Sequence, residues 1–257
     1  MPSISGQSIL VIGGSSGIGF AVANLALQQG AFVSIASSNP TRVADAVTRL
    51  QSSHPSLPET HIKGFTIDLQ TATVETDLEA LLTSVTATSK LKLNHIILTA
   101  GRACMRALPD IDLRYIQNEL HLPLIVPALL AKLAPRFLKP SSTSSLTFCG
   151  GRLGTKPSCG WPMGAACSAG LDGLTRALAL DIAPLRVNVV HPGATETELW
   201  GSLEGADRRR TREYFAKTSL LGRVAGPEDV AEAFGYLMRD GNVTGASVHS
   251  SGGVLLQ

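Results

Sequence analysis

The sequence predicts an α/β fold in which a doubly wound parallel sheet carries helices on both faces. Short β-branched runs alternate with helical patterns along all 257 residues, an order typical of parallel strands joined by crossover helices. A glycine-rich turn, VIGGSSGIG, separates the first strand from the first helix. The composition, 44% hydrophobic and 16% charged, indicates a core-rich chain, and we predict a single domain over residues 1–257.

The individual elements follow from periodicity and from their end signals. Continuous apolar runs such as SILVI predict buried strands, Gly30 is placed to end the first helix, and the helix at 227–238 has proline first and acids in its first turn. Strands are predicted at 8–12, 32–36, 65–68, 95–99, 145–149, 186–190 and within 247–251, and helices at 17–30, 41–50, 75–88, 110–138, 162–183 and 227–238. The remaining long stretch, 198–226, has an irregular pattern, and we predict a substrate lid there.

The bulk properties exclude several classes of protein. A net charge of +2 at pH 7 is too small to indicate nucleic-acid binding, and the run 208–210 is interpreted as a solvated loop or helix face. Four cysteines (Cys104, Cys149, Cys159, Cys167) lack metal-ligand spacing, so we predict no metal and reduced thiols. No signal peptide is evident, and no apolar stretch approaches the ~20 residues of a membrane span. We therefore expect a soluble, cytoplasmic protein.

The turn after the first strand has the features of a dinucleotide site. Small residues let the backbone approach a pyrophosphate, which then lies at the positive end of the following helix. The predicted contacts are Gly13, Ser15, Ser16, Gly17, Ile18 and Gly19.

The end of the second strand indicates which nucleotide is bound. A carboxylate there would favour NAD and repel a 2′-phosphate, but this chain has Ser37, Ser38 and Asn39, followed by Arg42. These hydroxyls and the guanidinium predict NADP(H). Asp68 and Leu69, at the end of the third strand, are expected to contact the adenine ring.

Taken together and in order, several segments resemble the short-chain dehydrogenase/reductase family over essentially the whole chain. These are GGSSGIG, Asp68-Leu69, LTAG (98–101), GLDGLTRALALDIAPLRVNVV, HPGATET (191–197), GRVAGPEDVAEAFGYLM and SSGG. The resemblance implies a Rossmann-like seven-stranded parallel sheet in the order 3-2-1-4-5-6-7. It also implies that Ala100 and Gly101 lie on the ribose side of the cofactor, and that Pro192, Gly193, Thr195 and Thr197 hold its nicotinamide end.

The catalytic residues of that family are missing from this chain. With GLTRALA as the anchor, the family's Tyr falls on Gly164, its Lys on Ser168 and its Ser on Gly151. None of the three tyrosines has a lysine four residues later. The family's Asn falls on Asn118 or Glu119, and both alignments remain open.

The loss of the tyrosine restricts the chemistry. Hydride addition to a neutral ketone needs a proton donor, whereas addition to a cationic iminium carbon does not. We therefore predict an NADPH-dependent reductase of a bulky imine, iminium or conjugated C=C substrate, of the kind that atypical family members in natural-product pathways resemble. Two alternatives stay open: a non-redox cyclase or isomerase that keeps NADP as a structural or electrostatic element, and a non-catalytic binding protein.

A few polar or aromatic side chains are candidates for the chemistry. Glu119 is predicted to stabilise a cation or act as a base, or else to be a surface acid; Arg102 points toward the same crevice by the resemblance, or is a loop arginine. Trp161 is expected to stack on a flat substrate or to cap its helix, and Ser168 to touch the cofactor ribose.

Other polar residues are weaker candidates. Arg152 is comparable to Arg102, whereas Cys149 and Cys167 are interpreted as core residues. His121 and His191 are interpreted as structural, with a place for His191 near the pocket left open.

Two helical patterns, LPLIVPALLAKLA and GLDGLTRALALDIA, are apolar on more than one face. Such helices are buried or shared with a partner, and in the family the corresponding helices pair across a two-fold axis. We therefore expect a homodimer or homotetramer. The glycines at positions 151 and 164 remove bulk, which suggests a hydrophobic, polycyclic substrate.

Overall fold

The computed structural model describes residues 2–89, 92–102, 105–201 and 205–257. Within them, parallel strands form one seven-stranded sheet in the order β3-β2-β1-β4-β5-β6-β7, which confirms the predicted topology. The strands are β1 Ser8–Ile12, β2 Phe32–Ser37, β3 Ile62–Thr66, β4 His95–Leu98, β5 Ser145–Cys149, β6 Arg186–Pro192 and β7 Ser247–Ser250. The strand order reverses between β1 and β4, and ligands of such sheets bind at the carboxyl ends beside this point.

Helices cover both faces of the sheet, as predicted. They are α1 Gly17–Gln28, α2 Pro40–Ser53, α3 Val74–Ser89, α4 Leu113–Leu120, α5 Val126–Phe137, α6 Pro162–Asp181, α7 Gly205–Lys217 and α8 Pro227–Arg239. One core cluster joins the sheet to α3, α5 and α6 through residues such as Leu82, Leu130 and Leu171. A second cluster joins it to α1, α2 and α8 through Val22 and Phe234, among others.

The third strand lies earlier in the chain than predicted. β3 spans Ile62–Thr66 and pairs with β2 from Val33↔Ile62 to Ser37↔Thr66, whereas 65–68 was predicted. β3 is an edge strand in which only Ile62 is buried, so it lacks the continuous apolar run of the central strands. As a result, Asp68 and Leu69 follow the strand and lie in the loop at its carboxyl end.

The stretch 198–226 is not irregular throughout, because it contains the 13-residue helix α7. Its sequence, GADRRRTREYFAK, has no apolar stripe of helical period, which explains why the helix was missed. Ion pairs hold it instead: Arg208 and Arg212 lie 3.1 Å and 3.5 Å from the Glu196 carboxylate. The run 208–210 therefore lies on a helix.

A single continuous helix, Leu113–Phe137, contains α4, a π-helical turn at His121–Ile125, and α5. Among the described residues it alone is long and apolar enough to cross a membrane by length and composition, so the statement that no stretch approaches a span was wrong. Its buried residues, among them Leu122 and Val126, belong to the core cluster on the sheet. That packing is typical of a core helix.

Candidate active site

A cavity of about 750 Å³ opens at the carboxyl ends of the central strands. It brings together all but one of the residues predicted to bind the cofactor. These are Gly13, Ser15, Ser16, Gly17, Ile18, Gly19, Ser37, Ser38, Arg42, Asp68, Leu69, Ala100, Gly101, Pro192, Gly193, Thr195 and Thr197. The predicted catalytic candidates Arg102, Glu119, Trp161 and Ser168, and the weaker candidate Arg152, line the same cavity.

The glycine-rich turn approaches its neighbours so closely that side chains are excluded. Gly13 has φ +96°, and a Cβ there would lie 2.4 Å from the Ala100 nitrogen. A Cβ on Gly19 would lie 2.2 Å from the Gly13 carbonyl oxygen. The turn therefore exposes bare backbone to the cavity at the start of α1, as close approach to a phosphate group requires.

Asn39 is the exception among the predicted cofactor residues. It is the N-cap of α2, and its Oδ1 accepts a hydrogen bond from the Arg42 backbone nitrogen at 3.0 Å. Its side chain is thus used within the helix end, and Asn39 does not appear in the cavity wall. Ser37, Ser38 and Arg42 remain as the wall at this end of the cavity.

Gly164 and Gly151, which stand where the family has its catalytic Tyr and Ser, differ in the free space beside them. A Cβ on Gly164 would lie 3.0 Å from Leu153 Cδ1 and 3.3 Å from Trp161 Cε3, so these side chains occupy the adjacent space. Beside Gly151, the described neighbour of a Cβ is Ser168 Oγ at 3.7 Å, an ordinary contact. Loss of bulk therefore leaves room at Gly151, but at Gly164 the room is filled.

An ion pair lies in the wall of the substrate end. Arg102 Nη2 is 2.7 Å from Glu119 Oε1, and the side chains are 42% and 12% exposed, respectively. Glu119 lines the cavity, whereas Asn118 is exposed and is not part of the cavity wall. The Cys167 thiol donates to the Glu119 carbonyl oxygen at 3.6 Å and ties α6 to the end of α4.

The two cysteines of the cavity wall are poor nucleophiles at neutral pH. Burial raises the pKa of Cys149 to about 12. Burial and, secondarily, the Glu119 charge raise the pKa of Cys167 to about 11. Both line the cavity as neutral thiols. Cys104 lies outside the described residues.

The two histidines have structural contacts. His121 donates to the Leu69 carbonyl oxygen at 2.8 Å and holds the loop after β3. His191 is buried, with Nε2 2.9 Å from Asp172 Oδ1 and Nδ1 3.1 Å from the Gly151 nitrogen. Since the carboxylate only accepts, Nε2 carries the proton. Burial alone would raise the pKa of Asp172, but hydrogen bonds from Ser247 and His191 hold it below its usual value.

Sequence reasoning missed several residues of the wall. Leu153 covers the Gly164 position, and Glu198, Trp200 and Phe215 enter the cavity from the predicted lid segment. The Glu198 carboxylate accepts a hydrogen bond from the Gly17 nitrogen at 2.8 Å. The one signal in the sequence was that Glu198, Trp200 and Phe215 all lie within the segment predicted to be a substrate lid.

Comparison with known proteins gives matches over the whole chain. Residues 3–257 match the family described as the SDR-like Rossmann domain. The chain is 45% identical to the short-chain dehydrogenase/reductase ATR9 of Stachybotrys chlorohalonatus, with 100% of both chains covered. It is 37% identical to the short-chain dehydrogenase/reductase malC of Malbranchea aurantiaca, with 99% of this chain and 96% of malC covered.

A solved structure agrees with the sequence comparison. The structure of MalC Reductase/Diels-Alderase from Malbranchea aurantiaca superposes with a TM-score of 0.93 at 37% identity. The superposition covers 99% of this chain and 98% of that one. This chain therefore shares its overall fold with that structure.

Proposed function

Because this chain belongs to the short-chain dehydrogenase/reductase family, we propose that it is an NADPH-dependent reductase of a bulky, hydrophobic imine, iminium or conjugated C=C substrate from secondary metabolism. The observation that carries the proposal is the composition of one continuous cavity. A bare glycine turn lies at one end, and at the other the family's Tyr, Lys and Ser are replaced by Gly164, Ser168 and Gly151.

The residues present fit NADP(H). The close approach of Gly13 and Gly19 to their neighbours leaves backbone, without side chains, at the α1 N-terminus, where a pyrophosphate is stabilised. Beyond the glycine turn, at the end of β2, the cavity wall contains Ser37, Ser38 and Arg42, which provide hydroxyls and a guanidinium for a 2′-phosphate. When bound there, NADPH supplies a hydride.

Glu119 is proposed as the catalytic residue. Its carboxylate is mostly buried and held by Arg102 at 2.7 Å, so its negative charge is fixed in the wall of the substrate end, although the Arg102 charge offsets part of it. Such a charge stabilises a cationic C=N group, and a preorganised charge costs no reorganisation during reaction. Hydride addition neutralises the iminium carbon, so no proton donor is required at Gly164. Trp161, in the same wall, provides an aromatic face for a flat substrate.

The test uses NADPH deuterated at C4 and a cyclic N-alkyl iminium salt as the probe substrate, with a ketone of matched shape beside it. We expect deuterium at the former iminium carbon by mass spectrometry and no turnover of the ketone. Absence of deuterium from every product, or efficient reduction of the ketone, would contradict the proposal.

Variants at the end of α4 test the role of Glu119. Glu119→Gln keeps the side-chain shape and removes the charge, so kcat/KM for the iminium probe is expected to fall roughly 10–100-fold. Asn118→Ala, at the exposed neighbouring position, is the control and should retain activity. Equal effects of the two substitutions would show that Glu119 has no specific electrostatic role.

A cyclase function is the second candidate, and one observation favours it: the 37% identical relative is described as a reductase and Diels-Alderase. In this function the cavity shapes a cycloaddition and NADP acts as a structural or electrostatic element. Product formation at the same rate with NADP⁺ as with NADPH would favour the cyclase, whereas strict dependence on NADPH favours the reductase.

We also propose that the protein is a cytoplasmic homodimer or homotetramer that pairs through its apolar helices. Leu180 on α6 is 82% exposed, an unusual position for leucine on a helix that also packs against the core. Light scattering coupled to size-exclusion chromatography measures the mass. A mass of one 26.9 kDa chain would contradict the proposal.

A further inference from the structure

Helix α1 begins without a cap from its own sequence. Its N-cap, Ser16, makes no side-chain cap hydrogen bond, and its first turn contains no acidic residue. Helix α6 also lacks both features, whereas α2 and α4 are capped by Asn39 and Asp112, and Asp229 accepts from the Gly226 nitrogen at the start of α8. The positive end of α1 is therefore left for an anion from elsewhere.

Glu198 supplies that anion from 181 residues away. Its Oε2 accepts from the Gly17 nitrogen at 2.8 Å. The preceding residue packs on the same point, since a Cβ on Gly17 would lie 3.2 Å from Thr197 Cβ. A carboxylate at the first N–H groups of this helix offers the same interaction that a cofactor phosphate would make.

We propose that Glu198 is an internal competitor of the cofactor, which occupies the anion position at the α1 N-terminus until the pyrophosphate of NADP(H) displaces it. The inference rests on the proposed function, because it requires a nucleotide in the glycine turn. Two anions do not share the Gly17 N–H, so binding exchanges one for the other. Glu198 thereby limits cofactor affinity and favours release of the spent cofactor.

The exchange also reaches the substrate end of the cavity. Glu198 opens the short helical turn Glu198–Trp200, and the Trp200 ring lies 5.7 Å from the Phe215 ring of α7. All three residues line the cavity. Movement of Glu198 therefore repositions the part of the wall that belongs to the predicted lid, while Glu196 keeps α7 tied through Arg208.

The test compares three variants by fluorescence titration of NADPH at constant ionic strength. Glu198→Gln removes the charge but keeps an acceptor, and Glu198→Ala removes both. Glu196→Gln is the control. Glu196 lies two residues before Glu198 and carries the same charge, but its carboxylate is paired with Arg208 and Arg212. We expect Glu198→Gln and Glu198→Ala to lower the Kd about tenfold, and Glu196→Gln to change it less than twofold.

A second readout is the Tm, measured without cofactor and at saturating NADPH. Loss of the anion at the start of α1 is expected to lower the Tm of the free protein in Glu198→Ala, and saturating NADPH should remove the difference from wild type. Unchanged or weaker NADPH binding in both Glu198 variants would overturn the inference, as would an equal gain in Glu196→Gln.

These outcomes separate the inference from the proposed function. Tighter NADPH binding in the Glu198 variants without hydride transfer to any probe would support the competitor and overturn the reductase. Hydride transfer with the same Kd in all variants would overturn the competitor alone. Failure of every variant to bind NADPH would overturn both.

Discussion

Replacing Arg42 with alanine is expected to weaken NADPH binding and to leave NADH binding unchanged. Arg42 lies in the cavity wall beside Ser37 and Ser38, and no ion pair engages its guanidinium in the part of the chain that the structure describes. A 2′-phosphate would therefore be its partner, whereas the ribose hydroxyl of NADH offers no charge for it.

The magnitude follows from the type of contact and from its exposure. A hydrogen bond to a charged group contributes about 1.5–3 kcal/mol when well shielded. Arg42 is exposed, so screening by solvent reduces this to about 1–1.5 kcal/mol. The Kd for NADPH should then rise roughly 5–10-fold in Arg42→Ala.

Asn39→Ala is the matched control, since it changes the same helix end without changing the cavity wall. Loss of its hydrogen bond to the Arg42 nitrogen should cost about 1 kcal/mol of stability, or roughly 2–4 °C in Tm. Its ratio of NADPH to NADH affinity should stay at the wild-type value. Fluorescence titration with both cofactors measures the ratio, and an equal loss of NADPH and NADH binding in Arg42→Ala would refute the reasoning.

Two substitutions, one control substitution and one chemical treatment test the structure. Gly164→Ala should lower the free energy of unfolding, measured in urea, by about 1 kcal/mol. The new Cβ crowds Leu153, and the steric cost is expected to exceed the stabilisation from the higher helix propensity of alanine. A more stable variant would show that the space is free. Arg186→Met should cost about 3–5 kcal/mol, since the buried guanidinium donates to four backbone carbonyl groups. Arg239→Met, at a hydrogen bond to a single side chain, is the control and should cost under about 1 kcal/mol, with both arginine variants measured by unfolding in urea. Iodoacetamide at pH 8 should label exposed Cys159 before Cys149, because burial raises the pKa of Cys149 to about 12; peptide mass spectrometry gives the order, and the reverse order would contradict the assignment.

Local sequence was enough for the central sheet. The bounds of β1 and β5 were predicted to the residue, because a parallel strand buried on both faces is a short run of mostly apolar and β-branched residues between polar loops. The edge strand β3 and the charged helix α7 were not, because their positions depend on pairing with β2 and on ion pairs with Glu196. Neither cause is visible in a local pattern.

The sequence by itself determined what the site lacks, since the identities at Gly151, Gly164 and Ser168 exclude a Tyr–Lys pair wherever those residues lie. It also determined the glycine turn, which needs small residues in a fixed order. Only the tertiary structure decided what replaced the missing groups. Contacts such as Glu198 with Gly17 and Arg102 with Glu119 join residues 181 and 17 positions apart, and their formation depends on the packing of whole elements rather than on neighbours in the chain.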